Sequence, residues 1–252
     1  MLDDSPRFKM IELDETVSTN SFLRDYRPLQ PVDITLVTAE YQTAGRGQGI
    51  NKWESERGKN LLFSLLVNPA LLPAAQAFVL SEAIALSIRE AIARFVSEEV
   101  TIKWPNDIYV GDSKIAGILM ENTLQGTCVA RSIIGCGVNI SQEAFVSDAP
   151  NPVSMRQLLR CDTERSFVLD AIINGFTHRY DLIQRGSFDT VTDEYRARLY
   201  RRSGFHPFRD AEGSFEAEIA DVELSGHLVL RRSDGRLCRY AFKEVTFLLP
   251  AS

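Results

Sequence analysis

The sequence lacks the markers of several protein classes. Its four cysteines are scattered without the close pairing of a zinc or redox motif, and it has only three histidines. We therefore expect reduced cysteines and no zinc or iron site formed by the protein. No apolar run approaches the roughly 20 residues of a membrane helix, and the N-terminus lacks the basic start of a secretory signal. These absences predict a cytoplasmic protein without a membrane anchor.

A surplus of positive charge is also missing. The chain has 28 lysines and arginines against 34 aspartates and glutamates, which gives a formal net charge of −6. General nucleic-acid binding requires clustered basic residues that neutralise phosphates, so this balance argues against DNA as a partner. An apolar content of 44% and a charged content of 25% are ordinary for a globular protein of one large or two unequal domains.

Glycine is concentrated in the most informative segment, which runs from Tyr41 to Trp53. In it, Arg46 and Gln48 alternate with Gly45, Gly47 and Gly49. Glycine permits backbone conformations and close approaches that side chains forbid, and arginine adds a permanently charged, forked donor. Free N–H groups of such a loop can bind an anion, and the Trp53 ring offers a flat face for a purine. The segment predicts a loop that closes over an anionic ligand.

The hydrophobic pattern predicts an α/β fold. Apolar spacings of three and four indicate helices over residues 74–97 and 166–200. Short apolar or alternating runs indicate strands of a mixed sheet over residues 35–39, 60–67, 100–104, 107–110, 114–120 and 131–140. Beyond Gly204, short alternating segments separated by glycine and aspartate turns indicate a small C-terminal β-barrel.

Several short motifs carry a resemblance to a known family. In chain order they are Ser18-Thr19-Asn20, the Arg46 loop, Lys103-Trp104-Pro105-Asn106-Asp107, Lys114-Ile115-Ala116-Gly117 and Gly135-Cys136-Gly137-Val138-Asn139. Together they resemble the biotin protein ligases, over about residues 10 to 145. The resemblance implies the class II synthetase-like fold of biotin and lipoate ligases, a mixed β-sheet backed by helices. It also implies a catalytic domain over residues 1–203 and an SH3-like β-barrel over residues 204–252.

The resemblance implies an activity as well. Such ligases use ATP and Mg²⁺ to activate biotin as biotinyl-5′-AMP, and then pass it to a lysine of a biotin carboxyl carrier domain of a carboxylase. The biotin carboxylate must approach an ATP phosphate, so fixed cations are needed to offset the repulsion. Arg46 and Lys114 are the matching positions and the expected catalytic residues. Mg²⁺ would be held on the ATP phosphates, with Asn106 and Asp107 as its expected protein contacts.

The remaining ligand contacts follow from the same resemblance. The expected biotin-binding residues are Ser18, Thr19, Asn20, Gln42, Gly45, Arg46, Gly47, Lys114, Gly117, Gly135 and Gly137. The expected ATP or adenylate contacts are Arg46, Gln48, Trp53, Lys103, Asn106 and Asn139. By themselves, Ser18-Thr19-Asn20 is also typical of a helix cap, and Asn106, Asp107 and Asn139 are typical of turns. Lys103 also fits an ordinary strand lysine, and Trp104 is expected in the core.

One position departs from the family pattern. Gln48 stands where family members often have a second arginine that helps to hold the adenylate. We therefore expect weaker retention of biotinyl-adenylate, unless a nearby cation compensates from the far side of the loop. The candidates for that role are Lys52, Arg57 and Lys59.

Three other functions stay open at this point. A lipoate or octanoate ligase or transferase shares the fold, although the Arg46 loop and the 103–107 motif match the biotin branch better. A non-catalytic biotin-binding module would keep the pocket, but the presence of Arg46 and Lys114 argues against it. A DNA-binding repressor is disfavoured, because the first motif starts at residue 18 and leaves no room before it for a helix-turn-helix domain. The protein is expected to be a monomer or a weak homodimer.

Overall fold

The structure of the protein is a computed structural model that describes residues 8–30, 32–49, 51–69, 71–146 and 151–249. In chain order its elements are β1 (Phe8–Thr16), α1 (Thr19–Asp25), β2 (Ile34–Gln42), β3 (Leu61–Val67), α2 (Val79–Ala93), β4 (Val100–Lys103), β5 (Asp107–Val110), β6 (Ser113–Gln125), β7 (Cys128–Val138), α3 (Met155–Leu159), α4 (Arg165–Gln184), α5 (Phe188–Ala197), β8 (His206–Asp210), β9 (Gly213–Val222), β10 (Leu228–Arg232), β11 (Leu237–Tyr240) and β12 (Thr246–Phe247).

The chain forms two compact units. The first comprises Met1–Ala74 and Ile115–Asp170, and the second comprises Ala75–Lys114 and Ala171–Ser252. The chain therefore passes between the units more than once, and the last crossing falls within α4. The predicted domains, residues 1–203 and 204–252, have other bounds than these two units, and that division stays a prediction.

A mixed sheet forms the centre of the first unit. Its strands lie in the order β1-β2-β3-β7-β6, in which β1 and β2 run parallel and the other neighbours run antiparallel. All seven residues of β3 are buried, as expected for a central strand covered on both faces. Helix α1 packs on the sheet through Leu23, which joins Val37, Leu66 and Ile133 in one apolar cluster. The predicted α/β class with a mixed sheet is confirmed.

Helices form much of the second unit. Helix α2 buries twelve of its fifteen residues and packs against α5 and β4. The predicted helix over 74–97 is shorter in the structure, because a 3₁₀ turn at Ala74–Gln76 precedes it and Arg94 ends it. The predicted helix over 166–200 is divided into α4 and α5. Gly186 causes this break, since its φ of 77° is a left-handed conformation that ends an α-helix.

The C-terminal strands form a second sheet within the second unit. Its strands lie in the order β11-β10-β9-β8-β12, and every neighbouring pair is antiparallel. The predicted short alternating strands are therefore present, and β8 and β12 join them. Among the described residues, a pairing between β11 and β12, which would close a barrel, is not observed. In the described part of the chain, no helix is both long and apolar enough to cross a membrane.

Candidate active site

The start of α1 and the end of β2 form a polar cluster in the first unit. Ser18, Thr19 and Asn20 are all buried, with exposed fractions of 2–3%. Gln42 reaches this group, because its Oε1 accepts a hydrogen bond from the Thr19 backbone N at 2.8 Å and lies 3.2 Å from Thr19 Oγ1. Ser18 precedes the helix with an extended backbone but makes no side-chain capping bond. Of the four residues expected to bind the biotin head group, Thr19 and Gln42 are therefore in direct contact.

Ser64, on β3, completes this cluster and was missed by the sequence analysis. Its Oγ lies 2.6 Å from Asn20 Oδ1 and 2.7 Å from Thr19 Oγ1, and the residue is fully buried. Asn20 is held from its other side by the Leu119 carbonyl, which accepts from Nδ2 at 3.3 Å. Ser64 is the only polar residue in the apolar run Leu61–Val67, and this pattern could have drawn attention to it.

Two glycines of β7 make room for side chains of the same unit. A Cβ on Gly135 would lie 2.1 Å from Asn20 Oδ1, and a Cβ on Gly137 would lie 2.2 Å from Cε2 of the Trp53 ring. Both distances are far below van der Waals contact. Gly117, on β6, is paired with Gly137 across the sheet. In the structure, Gly137, which the resemblance assigns to the biotin site, is in contact with the Trp53 ring.

The glycine loop folds back on itself as a narrow hairpin. Trp53 N donates to the Gly45 carbonyl at 3.0 Å, and Gly47 N donates to the Asn51 carbonyl at 2.8 Å. Between these bonds, Arg46 and Lys52 form an isolated antiparallel bridge. A Cβ on Gly45 would lie 2.5 Å from the Trp53 carbonyl oxygen, so the two limbs approach each other too closely for a side chain there. Lys52 is thus a neighbour of Arg46 on the opposite limb.

The charged end of Arg46 lies on β6 of the same unit. Arg46 Nη1 is 2.8 Å from Glu121 Oε1, and Arg24 Nη2 lies 3.0 Å and 2.9 Å from the two oxygens of the same carboxylate. Glu121 is a second residue that the sequence analysis missed, because nothing in its local pattern distinguishes it from a surface glutamate. The Arg46 side chain is 43% exposed, so an anionic ligand that reaches its guanidinium would compete with Glu121.

Arg57, which was a candidate to compensate for Gln48, is engaged elsewhere in the first unit. Its guanidinium forms ion pairs with Asp14, at 3.0 Å, and with Glu15, both on β1. It also lies over the ring of Tyr41, 5.1 Å from the centroid. Arg57 therefore fixes the segment after the glycine loop to the edge of the sheet.

The segment that follows Trp53 is anchored by buried amides. Gln142 is fully buried. Its Oε1 accepts from Asn60 Nδ2 at 2.7 Å and from Glu56 N at 3.1 Å, and its Nε2 donates to Glu54 Oε1 at 3.2 Å. These bonds tie the outgoing limb of the loop to the chain beyond β7.

Asn139 lies at the end of β7 in the first unit. Its Nδ2 donates to the Val153 carbonyl at 3.0 Å, and its backbone carbonyl accepts from Met155 N at 3.1 Å. Its Oδ1 is buried and has no hydrogen-bond partner among the residues that the structure describes. The Asn139 side chain therefore supports the start of α3 and keeps one acceptor available.

The second unit holds the other predicted cations. Lys114 Nζ is 2.6 Å from Asp107 Oδ1, and both side chains are about one-fifth exposed. Lys103 Nζ lies between the rings of Tyr109 and Phe247, 5.2 Å and 5.3 Å from their centroids. Burial lowers the pKa of Lys103, and the nearby Asp107 carboxylate opposes this shift. Asp107 thus lies close to both lysines, and Asn106 precedes it at the start of β5.

Trp104 is a core residue, as expected. It is 3% exposed, and its indole Nε1 donates to the Gly226 carbonyl at 2.9 Å. The predicted site residues consequently form two groups. The first unit holds the polar cluster, the three glycines of β6 and β7, Asn139 and the Arg46 loop, whereas the second unit holds Lys103, Asn106, Asp107 and Lys114.

Comparison with known proteins identifies the relatives of this chain. A model of the biotin/lipoate A/B protein ligase family matches residues 13–139, which is half of the chain. The bifunctional ligase/repressor BirA of Escherichia coli is 40% identical over 135 residues, which cover 53% of this chain and 41% of that protein. The biotin--[acetyl-CoA-carboxylase] ligase of Paracoccus denitrificans is 29% identical over 209 residues, 79% of this chain and 85% of that one.

The fold is shared with a solved structure. The chain resembles the biotin protein ligase from Aquifex aeolicus, solved in complex with biotin and ATP, with a TM-score of 0.78 at 22% identity over 96% of this chain and 99% of that one. The aligned region spans 41% of the length of the BirA proteins of Escherichia coli and Salmonella typhimurium, and 62% of that of Bacillus subtilis. By the family match and the shared fold, this chain belongs to the biotin/lipoate A/B protein ligase family.

Proposed function

We propose that this chain is an ATP-dependent biotin protein ligase that forms biotinyl-5′-AMP and transfers biotin to a lysine of a biotin carboxyl carrier domain. The observation that carries the proposal is a polar cluster in the same unit as the Arg46 loop, formed by the buried residues Thr19, Asn20 and Ser64 and the half-buried Gln42. Such a cluster suits a ligand with a small hydrogen-bonding head group, and the exposed arginine suits its anionic end. Relatives named as biotin ligases support this reading.

The first half-reaction would join biotin to AMP. A carboxylate oxygen of biotin attacks the α-phosphorus of ATP, an oxygen–phosphorus bond forms, and the bond to pyrophosphate breaks. Arg46 and Lys114 are the proposed cations, because a guanidinium and an ammonium offset the charge that gathers around the α-phosphate. Asp107 would hold Lys114 in place through their ion pair of 2.6 Å. The adenine is proposed to stack on Trp53, with Gln48, Lys103 and Asn139 toward the phosphates.

Magnesium would accompany ATP. Among the described residues, no group of three or more His, Cys, Asp or Glu side chains could hold a metal by itself. Mg²⁺ commonly binds nucleotide phosphates with only one or two protein carboxylates, and Asp107 with the neighbouring Asn106 fits that limited role. Bound there, the ion would neutralise phosphate charge.

The second half-reaction would use the carrier domain. The amine of a carrier lysine attacks the acyl carbon of the adenylate, an amide bond forms, AMP leaves with the bond oxygen, and the amine loses a proton. The chain has a net charge of −6, so recognition of the carrier would rest on shape and strand pairing more than on a strong attractive field. ATP and carboxylases are available in the cytosol, which is the proposed location.

A lipoate or octanoate ligase is the alternative within the family. Against a linear acyl chain, the lone pairs of Thr19 Oγ1 and the Gln42 Nε2 donor would find no partner in the ligand, and a polar group left unpaired in a binding site is unfavourable. Biotin presents a ureido ring with two N–H groups and one carbonyl, which can satisfy them. The cluster therefore favours biotin over lipoate and octanoate.

Transfer to a carrier domain tests this function. The full chain, ATP, Mg²⁺ and a purified biotin carboxyl carrier domain are incubated with biotin, lipoate or octanoate, and the mass of the carrier is measured. We expect a mass increase with biotin only, and none on a carrier whose acceptor lysine is replaced by arginine. An equal increase with lipoate would support the alternative, and binding of biotin without any transfer would indicate a binding module.

A further inference from the structure

Ser64 has surroundings that require an explanation. It is a fully buried hydroxyl in the centre of a seven-residue strand, and the six other residues of this strand are all apolar. Burying a hydroxyl without hydrogen bonds is unfavourable by an amount comparable to a lost hydrogen bond. Ser64 avoids this through its contacts with Asn20 Oδ1 at 2.6 Å and Thr19 Oγ1 at 2.7 Å. Both partners belong to the proposed head-group cluster.

The direction of these hydrogen bonds follows from the number of protons. Asn20 Nδ2 donates to the Leu119 carbonyl, which identifies the other amide atom as Oδ1, a pure acceptor. Ser64 has one hydroxyl proton, and only Ser64 can supply the proton between itself and Asn20 Oδ1. The Thr19 hydroxyl has one proton and two neighbouring acceptors, Ser64 Oγ at 2.7 Å and Gln42 Oε1 at 3.2 Å. Thr19 Oγ1 is therefore left with lone pairs for a further partner.

Gln42 offers a ligand a hydrogen-bond donor instead of an acceptor. Its Oε1 is occupied by the Thr19 backbone N at 2.8 Å, so the donor Nε2 is the group that remains for recognition. Nε2 lies near Gly45, 3.5 Å from the position that a Cβ on this glycine would occupy. The cluster thus offers an acceptor at Thr19 and a donor at Gln42. A ureido group, with N–H donors beside a carbonyl acceptor, is complementary to this pair.

We propose that Ser64 is a positioning residue that fixes Thr19 and Asn20 for recognition of a ureido head group and so helps to set ligand specificity. The inference rests on the proposed function and deepens it. Gly135 assists, because it faces Ser64 across β3 and β7 and its missing Cβ leaves the space that Asn20 Oδ1 occupies. Ser64 itself need not touch the ligand.

The test compares Ser64→Ala with Ser132→Ala in the full chain. Ser132 is also fully buried, lies on the adjacent strand β7, and its hydroxyl has no hydrogen-bond partner among the described residues, so it is a matched control. We expect the Kd of Ser64→Ala for biotin to rise about five- to tenfold, the effect of one misplaced hydrogen bond. Desthiobiotin, which keeps the ureido ring, should lose affinity by the same factor. The Kd for ATP should not change.

Kinetics separate positioning from a general loss of structure. In Ser64→Ala, KM for biotin should rise while kcat and KM for ATP stay at their wild-type values. A purely structural role would change the parameters for both substrates together, and it would overturn the inference. So would an unchanged biotin Kd, or an equal loss in Ser132→Ala. If Ser64→Ala does not fold, Ser64→Cys retains the side-chain size with a weaker donor. It should raise the Kd for the same ligands, biotin and desthiobiotin. A wild-type chain that binds no biotin would defeat the proposed function itself.

Discussion

Arg46 and Glu121 form an ion pair, with 2.8 Å between Arg46 Nη1 and Glu121 Oε1. The residue proposed to stabilise the anionic reactants is thus already paired with an anion of the protein. Arg24 Nη2 lies within hydrogen-bond distance of both oxygens of the same carboxylate. If Arg46 turns toward a phosphate, Arg24 can continue to neutralise Glu121. Glu121 and an anionic ligand therefore compete for Arg46, and this competition affects the strength of ligand binding.

Glu121→Gln should tighten ATP binding. The substitution removes the charge that competes for Arg46, and a partly exposed ion pair is worth about 0–1 kcal/mol, so we expect a decrease of about two- to fivefold in the Kd for ATP. Arg24→Gln should act in the opposite direction, because Glu121 would then depend on Arg46 alone. Calorimetric titration of both variants measures these shifts. Equal affinities in the two variants would show that Glu121 does not compete.

Gly137→Ala should displace the Trp53 ring. The new Cβ would lie 2.2 Å from Cε2 of the ring, and overpacking of this kind destabilises proteins by about 1–3 kcal/mol. We expect a red shift of tryptophan emission and a lower free energy of unfolding. The chain has two tryptophans, so the same substitution in a Trp53→Phe background is the control. A red shift that persists there would have to come from Trp104 and would contradict the assignment.

Gln48→Arg should slow the escape of the adenylate. The added guanidinium can form a charge-assisted hydrogen bond with a phosphate, worth about 1.5 kcal/mol or roughly tenfold in dissociation rate. Arg57 does not replace it, because its guanidinium is held by Asp14 and Glu15. A chase of labelled adenylate with unlabelled biotin and ATP measures the rate, and Gln48→Met controls for side-chain size. The same rate in wild type and Gln48→Arg would defeat the hypothesis.

Glu82 should make the protein less stable as pH rises. The residue is 1% exposed, Thr192 Oγ1 donates to its Oε2 at 2.6 Å, and its Oε1 has no partner among the described residues. Burial raises the pKa of Glu82 from 4.5 to about 7. The folded state therefore holds the proton more tightly than the unfolded state, so the free energy of unfolding falls as pH increases from 4.5 through about 7.

The size of this effect is measurable with Glu82→Gln. The shift corresponds to about 3 kcal/mol of stability lost above neutral pH, and a neutral glutamine does not suffer that loss. Urea unfolding should therefore show the variant gaining stability over wild type between pH 5 and pH 8. Glu98→Gln removes the same charge from an exposed position and is the control. A difference between Glu82→Gln and wild type that does not vary with pH would rule out this account.

Much of the fold was predictable because its determinants are local. The central strands of the first unit are apolar runs, and β2 leads into the glycine loop as predicted. The break between α4 and α5 was not predicted, since apolar spacing continues across it and Gly186 acts through its backbone conformation. The order of the C-terminal strands could not be predicted from alternation, which fixes the two faces of a strand and not its neighbours.

Some contacts of the candidate site could be predicted from short motifs, whereas contacts that depend on the alignment of strands could not. Thr19 and Gln42 are 23 residues apart, yet the family resemblance grouped them, and the structure places them in contact. Ser64 and Glu121 reach the site only through their positions on β3 and β6, which depend on how the strands align. No local pattern could identify Glu121 as the partner of Arg46. The packing of Trp53 on Gly137 likewise depends on the folded loop.

The most direct test of the central claim is biotin-dependent exchange of labelled pyrophosphate into ATP by the full chain. We expect exchange with biotin and none with lipoate or octanoate. In Lys114→Ala we expect a loss of about 100-fold or more, the effect of removing one preorganised electrostatic contact at the reacting phosphate. Absence of exchange with biotin, or exchange that lipoate supports equally, would contradict the claim that this chain adenylates biotin.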